Sequence, residues 1–143
     1  MRLRLVAAGT RLPRWVDEGV ADYARRFGRE LQFELVEIPA ARQAARMSAA
    51  IGKRDFVVAL AVDGRSMTTP ELAKWLAARL ADGRDLVLLI GGADGLDAEL
   101  TARAHFRWSL SPLTWPHGLA RLMVTEQLYR AHSLLKGHPY HRD

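Results

Sequence analysis

The sequence contains no cysteine among its 143 residues. This absence excludes a disulfide framework and any metal site built on thiolates, and it is typical of proteins of the reducing cytoplasm. Long hydrophobic runs are missing as well. No apolar segment approaches the roughly 18 residues of a membrane span, and the apolar stretch near the amino terminus is too short for a signal peptide. We therefore expect a cytoplasmic protein that does not enter a membrane.

Several motifs for cofactors, metals and nucleophiles are also absent. Neither GxxxxGK[ST] nor GxGxxG occurs, which disfavours a cofactor held through its phosphates. There is no HExxH motif, and His117, His132, His138 and His141 do not share one helix face, so we expect no metal site. No GxSxG elbow supports a hydrolase of the α/β class.

Acidic residues are outnumbered by basic ones. The chain has 21 Lys and Arg against 16 Asp and Glu, a formal net charge of +5, and arginine supplies nearly all of the positive charge. Guanidinium groups bind phosphate oxygens in a bidentate manner. The charge therefore favours an RNA or DNA partner. A non-catalytic RNA- or ribosome-binding module stays open as an interpretation.

Apolar residues alternate along the chain between the strand period and the helix period. Strands are predicted over residues 2–9, 31–38, 56–62, 85–90 and 106–111, and helices over 13–27, 40–52, 70–82, 98–104 and 119–135. Thr69 and Asp97 are the predicted N-caps of the third and fourth helices. This alternation predicts an α/β fold with a mostly parallel sheet flanked by helices. The length and the lack of a linker predict one domain over residues 1–143.

The strongest single signal is an apolar run over residues 86–90 that ends in Gly91, Gly92 and Gly95. Such a run is typical of a parallel strand buried on both faces. Glycines at its carboxyl end let a ligand approach the main chain closely, at the edge where α/β sheets bind ligands. A tight turn that needs positive φ explains the glycines equally well.

A second loop leaves the predicted sheet at the same edge. Its backbone groups, apolar walls and small hydroxyls suit a flat, weakly charged heterocycle such as adenine, and they come from Leu110, Ser111, Pro112, Leu113, Thr114 and Trp115. In the alternative interpretation, Leu113 and Trp115 are ordinary core residues and the prolines stiffen the loop.

The carboxyl-terminal tail, residues 137–143, is too short to pack as an element of its own. It either frays or docks at a site, including one on a partner subunit. Glu126 is the only acid of the last predicted helix, and we expect it to form helix-face ion pairs with Arg121 and Arg130. A role for Glu126 in positioning arginines near a site is the alternative.

Six segments, in order, give the chain a resemblance to a known family. They are LVAAGT, FELVEIPA, LLIGGADGL, WSLSPLTWPH, RLMVTEQLYRA and HPYHRD, and together they span nearly the whole chain. On these segments the sequence resembles the ribosomal RNA large-subunit methyltransferase H family. One departure is clear, because the stretch between Ala40 and Asp55 is shorter than expected. The second helix should therefore be truncated.

The resemblance implies a SPOUT fold whose carboxyl-terminal part forms a trefoil knot, and a homodimer whose active sites are shared between subunits. It also implies methylation of N3 of a pseudouridine in large-subunit (23S) ribosomal RNA with S-adenosylmethionine and without a metal. The short chain leaves little room for a separate RNA-binding domain, which favours an assembled ribosome as substrate.

Carried over residue by residue, the resemblance also implies the site. The cofactor would be bound by Leu60, Gly91, Leu110, Ser111, Pro112, Leu113, Thr114 and Trp115. The catalytic candidates are His117, Tyr140, His141 and Arg142, with no general base assigned among them.

Overall fold

Five strands form one sheet in which every strand pairing of the described chain is parallel. The computed structural model describes residues 1–141, and at His117 the backbone only. The strands are β1 (Arg2–Ala8), β2 (Gln32–Ile38), β3 (Phe56–Ser66), β4 (Leu86–Ile90) and β5 (Phe106–Ser109). Their order across the sheet is β2-β1-β4-β3-β5. The predicted α/β class with a mostly parallel sheet is confirmed.

Helices cover both faces of the sheet. On one face lie α1 (Arg14–Ala24), α3 (Thr69–Asp82) and α5 (His117–Leu135), with α5 packed between the other two. The opposite face is covered by α2 (Gln43–Ala49) and α4 (Ala98–Arg103). The α2 helix has only seven residues, which agrees with the predicted truncation.

Central position in the sheet explains the apolar run of β4. All five of its residues are buried, because β1 and β3 flank it and helices cover both of its faces. Leu86, Leu88 and Ile90 face the α1, α3 and α5 layer, whereas Val87 and Leu89 face α2 and α4. A strand with two apolar environments cannot show the polar alternation of a half-buried strand.

One of the two predicted helix caps is confirmed, and the other lies one residue away from its predicted position. Asp97 caps α4, as predicted, by accepting from the N–H groups of Glu99 and Leu100. The cap of α3 is Thr68 and not Thr69, and the Thr68 hydroxyl accepts from the Glu71 N–H at 3.3 Å. Threonine followed three residues later by glutamate is a capping box, which already distinguished the two threonines.

The third strand is longer than the sequence pattern indicates. It was expected to end before Asp63 and Gly64, but β3 continues to Ser66 after a shift of register against β5 between Leu60 and Arg65. A Cβ atom on Gly64 would lie 2.8 Å from β5 backbone atoms. Glycine here permits the close approach of β5 and does not end the strand.

Arg121, on α5, is fully buried against the carboxyl ends of β1 and β2. It donates to Glu37 Oε2 at 2.6 Å and to the carbonyl oxygens of Ala8 and Gly9 at 3.1 and 3.0 Å. The expected ion pair between Arg121 and Glu126 is wrong, because Arg121 faces the sheet. Its guanidinium joins the start of α5 to two strand ends.

Replacing Arg121 with methionine should therefore destabilise the fold strongly. The change leaves Glu37 and two carbonyl oxygens without their donor, and losing one partner of such a pair costs about 3 kcal/mol. Arg107→Met is the matched control, because Arg107 pairs with Asp63 on the exposed surface and such pairs contribute up to about 1 kcal/mol. Urea unfolding followed by circular dichroism measures both variants, and equal losses of stability would contradict the assignment.

Candidate functional site

A cavity of about 600 Å³ opens where β4 and β5 end, a volume typical of small-molecule sites. Four segments form its walls: the bulged part of β3, the loop after β4, the loop after β5 and the first turn of α5. Seven of the predicted cofactor-binding residues line it, namely Leu60, Gly91, Leu110, Ser111, Leu113, Thr114 and Trp115. The eighth, Pro112, lies in the same loop but does not line the cavity.

The loop after β4 needs its glycines for two different reasons. A Cβ atom on Gly91 would lie 2.4 Å from backbone atoms of Gly95 and Leu96, so the loop closes on itself at that point. Gly95 has φ +81°, which other residues rarely adopt. At Gly92 there is room, since a Cβ atom would lie 3.5 Å from the Ala8 side chain. The loop after β4 therefore contains both a tight turn that requires glycine and a stretch of backbone that is open to the cavity.

The loop after β5 is held by a serine turn. Ser111 Oγ accepts from the Leu113 N–H at 3.0 Å, and Ser109 Oγ donates to the Ser111 carbonyl at 3.1 Å. Leu113 is 69% exposed, so the interpretation of Leu113 as a core residue is wrong. The Trp115 indole nitrogen is buried and has no hydrogen-bond partner among the described residues. Leu113 and Trp115 both line the cavity.

Several lining residues were not predicted, namely Ala61, Val62, Ile90, Gly92, Ala93, Gly95, Leu96, Pro116 and Ala120. Ala61 and Val62 reach the cavity because β3 bulges there, and the sequence pattern placed a plain strand end nearby. Ala120 was recognisable as a small residue in the first turn of an otherwise bulky helix. The glycines belong to the loop that the sequence had already singled out.

Within this chain, the tail docks on α1 and α5. The Tyr140 hydroxyl donates to Glu126 Oε1 at 2.9 Å and lies 3.1 Å from the Tyr23 hydroxyl. Its ring packs edge-on against Tyr129, with ring centroids 4.8 Å apart. Arg130 donates to the same Glu126 oxygen at 2.7 Å, which confirms the predicted helix-face ion pair. We call Tyr23, Glu126, Tyr129, Arg130 and Tyr140 the tail cluster.

The surroundings of Tyr140 and Arg130 in the tail cluster favour the protonated forms of these two side chains. Burial raises the pKa of Tyr140, and its hydrogen bonds to Tyr23 and Glu126 raise the pKa further. The hydrogen bond from Arg130 to Glu126 raises the pKa of Arg130. Tyr140 therefore acts as a hydrogen-bond donor at neutral pH when it is docked in this way.

The structure does not bring all the predicted catalytic residues to the cavity. His117 begins α5 directly after Pro116, which lines the cavity. Tyr140 and His141 do not line it. The tail cluster contacts α5 six to ten residues beyond Ala120, a distance of about 9–15 Å along the helix. Arg142 lies outside the described residues.

A second cavity, of about 480 Å³, lies at the far end of α5. Its walls include Arg26, His132, Lys136 and His138. Burial lowers the pKa of His132. Within residues 1–141, no cluster of His, Cys, Asp or Glu side chains has the arrangement of a metal site. None of the helices in that range is long and apolar enough to span a membrane.

Comparisons with known proteins agree with the geometry. A family model described as "Predicted SPOUT methyltransferase" matches residues 1–141. The chain is 51% identical to a protein of Alkalilimnicola ehrlichii over 99% of each chain, and 47% identical to one of Laribacter hongkongensis over the full length of both. Both relatives are named "Ribosomal RNA large subunit methyltransferase H".

A solved structure shares the fold. A "probable methylase family protein" from Haemophilus influenzae superimposes with a TM-score of 0.61 at 14% identity, covering 99% of this chain and 70% of that one. The sequence relatives are the more specific finding, because they match from end to end. The chain belongs to the SPOUT methyltransferases, in the family of ribosomal RNA large subunit methyltransferase H.

Proposed function

We propose that this protein transfers a methyl group from S-adenosylmethionine to N3 of a pseudouridine in large-subunit ribosomal RNA. The observation that carries the proposal is the cavity between the Gly91 loop and residues 110–116, which combines exposed backbone with apolar walls. The relatives named above support the RNA substrate. The proposal places the activity in one domain over residues 1–143, in the cytoplasm, with an assembled ribosome as substrate.

The chain's own residues suit a flat heterocycle joined to a polar chain. Leu60, Leu110 and Leu113 would contact the faces of the adenine, and backbone groups at Gly91 and Gly92 would bind its edge. The buried indole N–H of Trp115 would donate to the ligand. Pro112 would act indirectly, by stiffening the loop. When bound, S-adenosylmethionine supplies an electrophilic methyl group, and the two loops would position the cofactor for attack by the nitrogen.

The N3 atom of pseudouridine carries a proton that must leave before or during methyl transfer. A positive or hydrogen-bonding group beside the ring would stabilise the anion that forms. His117, Tyr140, His141 and Arg142 are the proposed catalytic residues. Because Tyr140 and His141 lie away from the cavity of their own chain, a partner's tail in a homodimer is the arrangement that completes the site.

Transfer of a labelled methyl group to ribosomes that lack the modification tests the proposal, with digestion of the RNA to identify the product. The expected product is 3-methylpseudouridine. The competing function is a non-catalytic RNA-binding module, which would bind ribosomes but not S-adenosylhomocysteine. Methylation of a different nucleoside would contradict the proposed target, while the absence of cofactor binding would contradict the proposed activity.

Gly91→Ala should weaken binding of S-adenosylhomocysteine about fivefold or more, because relieving the backbone contact with Gly95 and Leu96 costs about 1–3 kcal/mol. Gly92→Ala is the matched control, since its Cβ atom has room, and we expect its affinity to stay within about threefold of wild type. Calorimetric titration measures both affinities. Unchanged binding by Gly91→Ala would show that the close approach within the loop does not shape the site.

Two inactive variants should complement each other if the active site is shared. Deleting residues 140–143 removes the tail, and Gly91→Val removes cofactor binding, because its larger side chain has no room beside the Gly95 and Leu96 backbone. A mixed dimer of the two contains one intact cavity beside one intact tail. After unfolding and refolding together in equal amounts, the mixture should recover about a quarter of wild-type methyl transfer, because half of the dimers are mixed and each has one working site.

The same mixture made without unfolding serves as the control for subunit exchange. Activity that never exceeds the sum of the two separate variants would contradict a shared site. A monomeric mass in light scattering at working concentration would contradict the homodimer itself.

A further inference from the structure

We infer that Arg42, which directly precedes α2, and Arg46, which lies on α2, form an RNA-phosphate-binding surface at the rim of the cofactor cavity. The inference rests on the proposed function, and it adds the side chains that would hold the RNA strand flanking the target base. None of the residues proposed above for cofactor binding or catalysis belongs to this surface.

The position of α2 is fixed by the cofactor loop. A Cβ atom on Gly92 would lie 3.6 Å from Gln43 Nε2, and Gly92 lines the cavity. Gln43, the first residue of α2, therefore lies against the rim of the cavity. Met47, one turn later, is buried under the helix. The beginning of α2 borders the opening, and the rest of the helix leads away from it.

Positive charge is concentrated on this segment. Residues 39–54 contain four basic residues and no acidic one. Arg42 and Arg46 are both exposed. Arg42 directly precedes α2, with φ +55°, and Arg46 lies on the helix four positions later. Two exposed guanidinium groups on so short a segment can bind phosphates of one strand, each through a bidentate contact.

The charge is not neutralised within the described chain. No carboxylate of residues 1–141 comes within salt-bridge distance of either arginine. Glu37 and Asp55, the acids that flank the segment, are already paired with Arg121 and Arg4. An exposed pair of arginines without acidic partners is the arrangement expected of a surface that meets a polyanion.

The double variant Arg42→Gln/Arg46→Gln tests the inference. Its matched control is Arg29→Gln/Lys74→Gln, which removes the same charge from two exposed residues on other parts of the surface. Filter binding of protein-free large-subunit ribosomal RNA is measured for each protein over a series of KCl concentrations. Calorimetric titration of S-adenosylhomocysteine accompanies every variant, so that damage to the cavity is seen separately.

Loss of two phosphate contacts should lower the slope of log affinity against log salt by about 1.4, at about 0.7 per contact with a single strand. Cofactor affinity should not change, and the control pair should keep the wild-type slope. Arg42→Lys/Arg46→Lys should also keep the slope, because it retains the charge. Equal slopes for the two glutamine pairs would overturn the inference.

A loss of methyl transfer to ribosomes with unchanged binding of free RNA would also overturn it, and would indicate an acidic protein surface as the partner. These outcomes are independent of the proposed activity. Salt-dependent RNA binding is measurable in a protein that transfers no methyl group, whereas the absence of cofactor binding by wild-type protein contradicts the activity alone.

Discussion

Burial of β4 between β1 and β3 is the constraint on which the site depends. Each of its five side chains is buried, and full burial of one such side chain contributes about 1.5–3 kcal/mol. The strand therefore cannot slide or tilt without losing core contacts, and the point where Gly91 leaves the sheet is fixed. The loop then closes on itself through the contact between Gly91 and the Gly95–Leu96 backbone, which leaves a rigid edge of main chain facing the cavity.

The opposite wall depends on a polar interaction. Arg121 joins α5 to the carboxyl ends of β1 and β2, and Ala120, its neighbour, lines the cavity. An arginine is suited to this place because three acceptors from two strands meet there. The two walls thus come from different physical causes, one from apolar burial and the other from a buried guanidinium with its acceptors.

Much of this arrangement was predictable from local patterns. Apolar patterns, helix caps and composition together predict all ten elements, and the glycine run after β4 identifies the loop that forms the cavity. Seven cofactor candidates line that cavity. The two loops themselves indicated six of them, as one of two interpretations, whereas Leu60 came from the family resemblance alone. Their role in cofactor binding stays a proposal. The bulge in β3 was not predictable, because Gly64 indicates a turn unless its approach to β5 is known.

The directions in which side chains point could not be predicted from the sequence either. Arg121 and Arg130 both stand within a few positions of Glu126 on α5, yet only Arg130 pairs with it, because the partners of Arg121 lie more than eighty residues away in sequence. The contact between Tyr140 and Tyr23 likewise joins residues that are far apart in the sequence. Such contacts depend on how α5 packs against the sheet and against α1, and no local pattern encodes that packing. The trefoil knot that the family resemblance implies stays a prediction.

The proposed cofactor site is the cavity beside the Gly91 loop. Titration of ¹⁵N-labelled wild-type protein with S-adenosylhomocysteine, followed by nuclear magnetic resonance, distinguishes this cavity from the second one. Binding beside the Gly91 loop should give saturable shifts of the Gly91 and Gly92 amides and of the Trp115 indole N–H, with little change at Gly28 and Gly137 in the second cavity. Shifts concentrated at Gly28 and Gly137, or no saturable shift in the Gly91 loop, would show that the cofactor does not bind in this cavity.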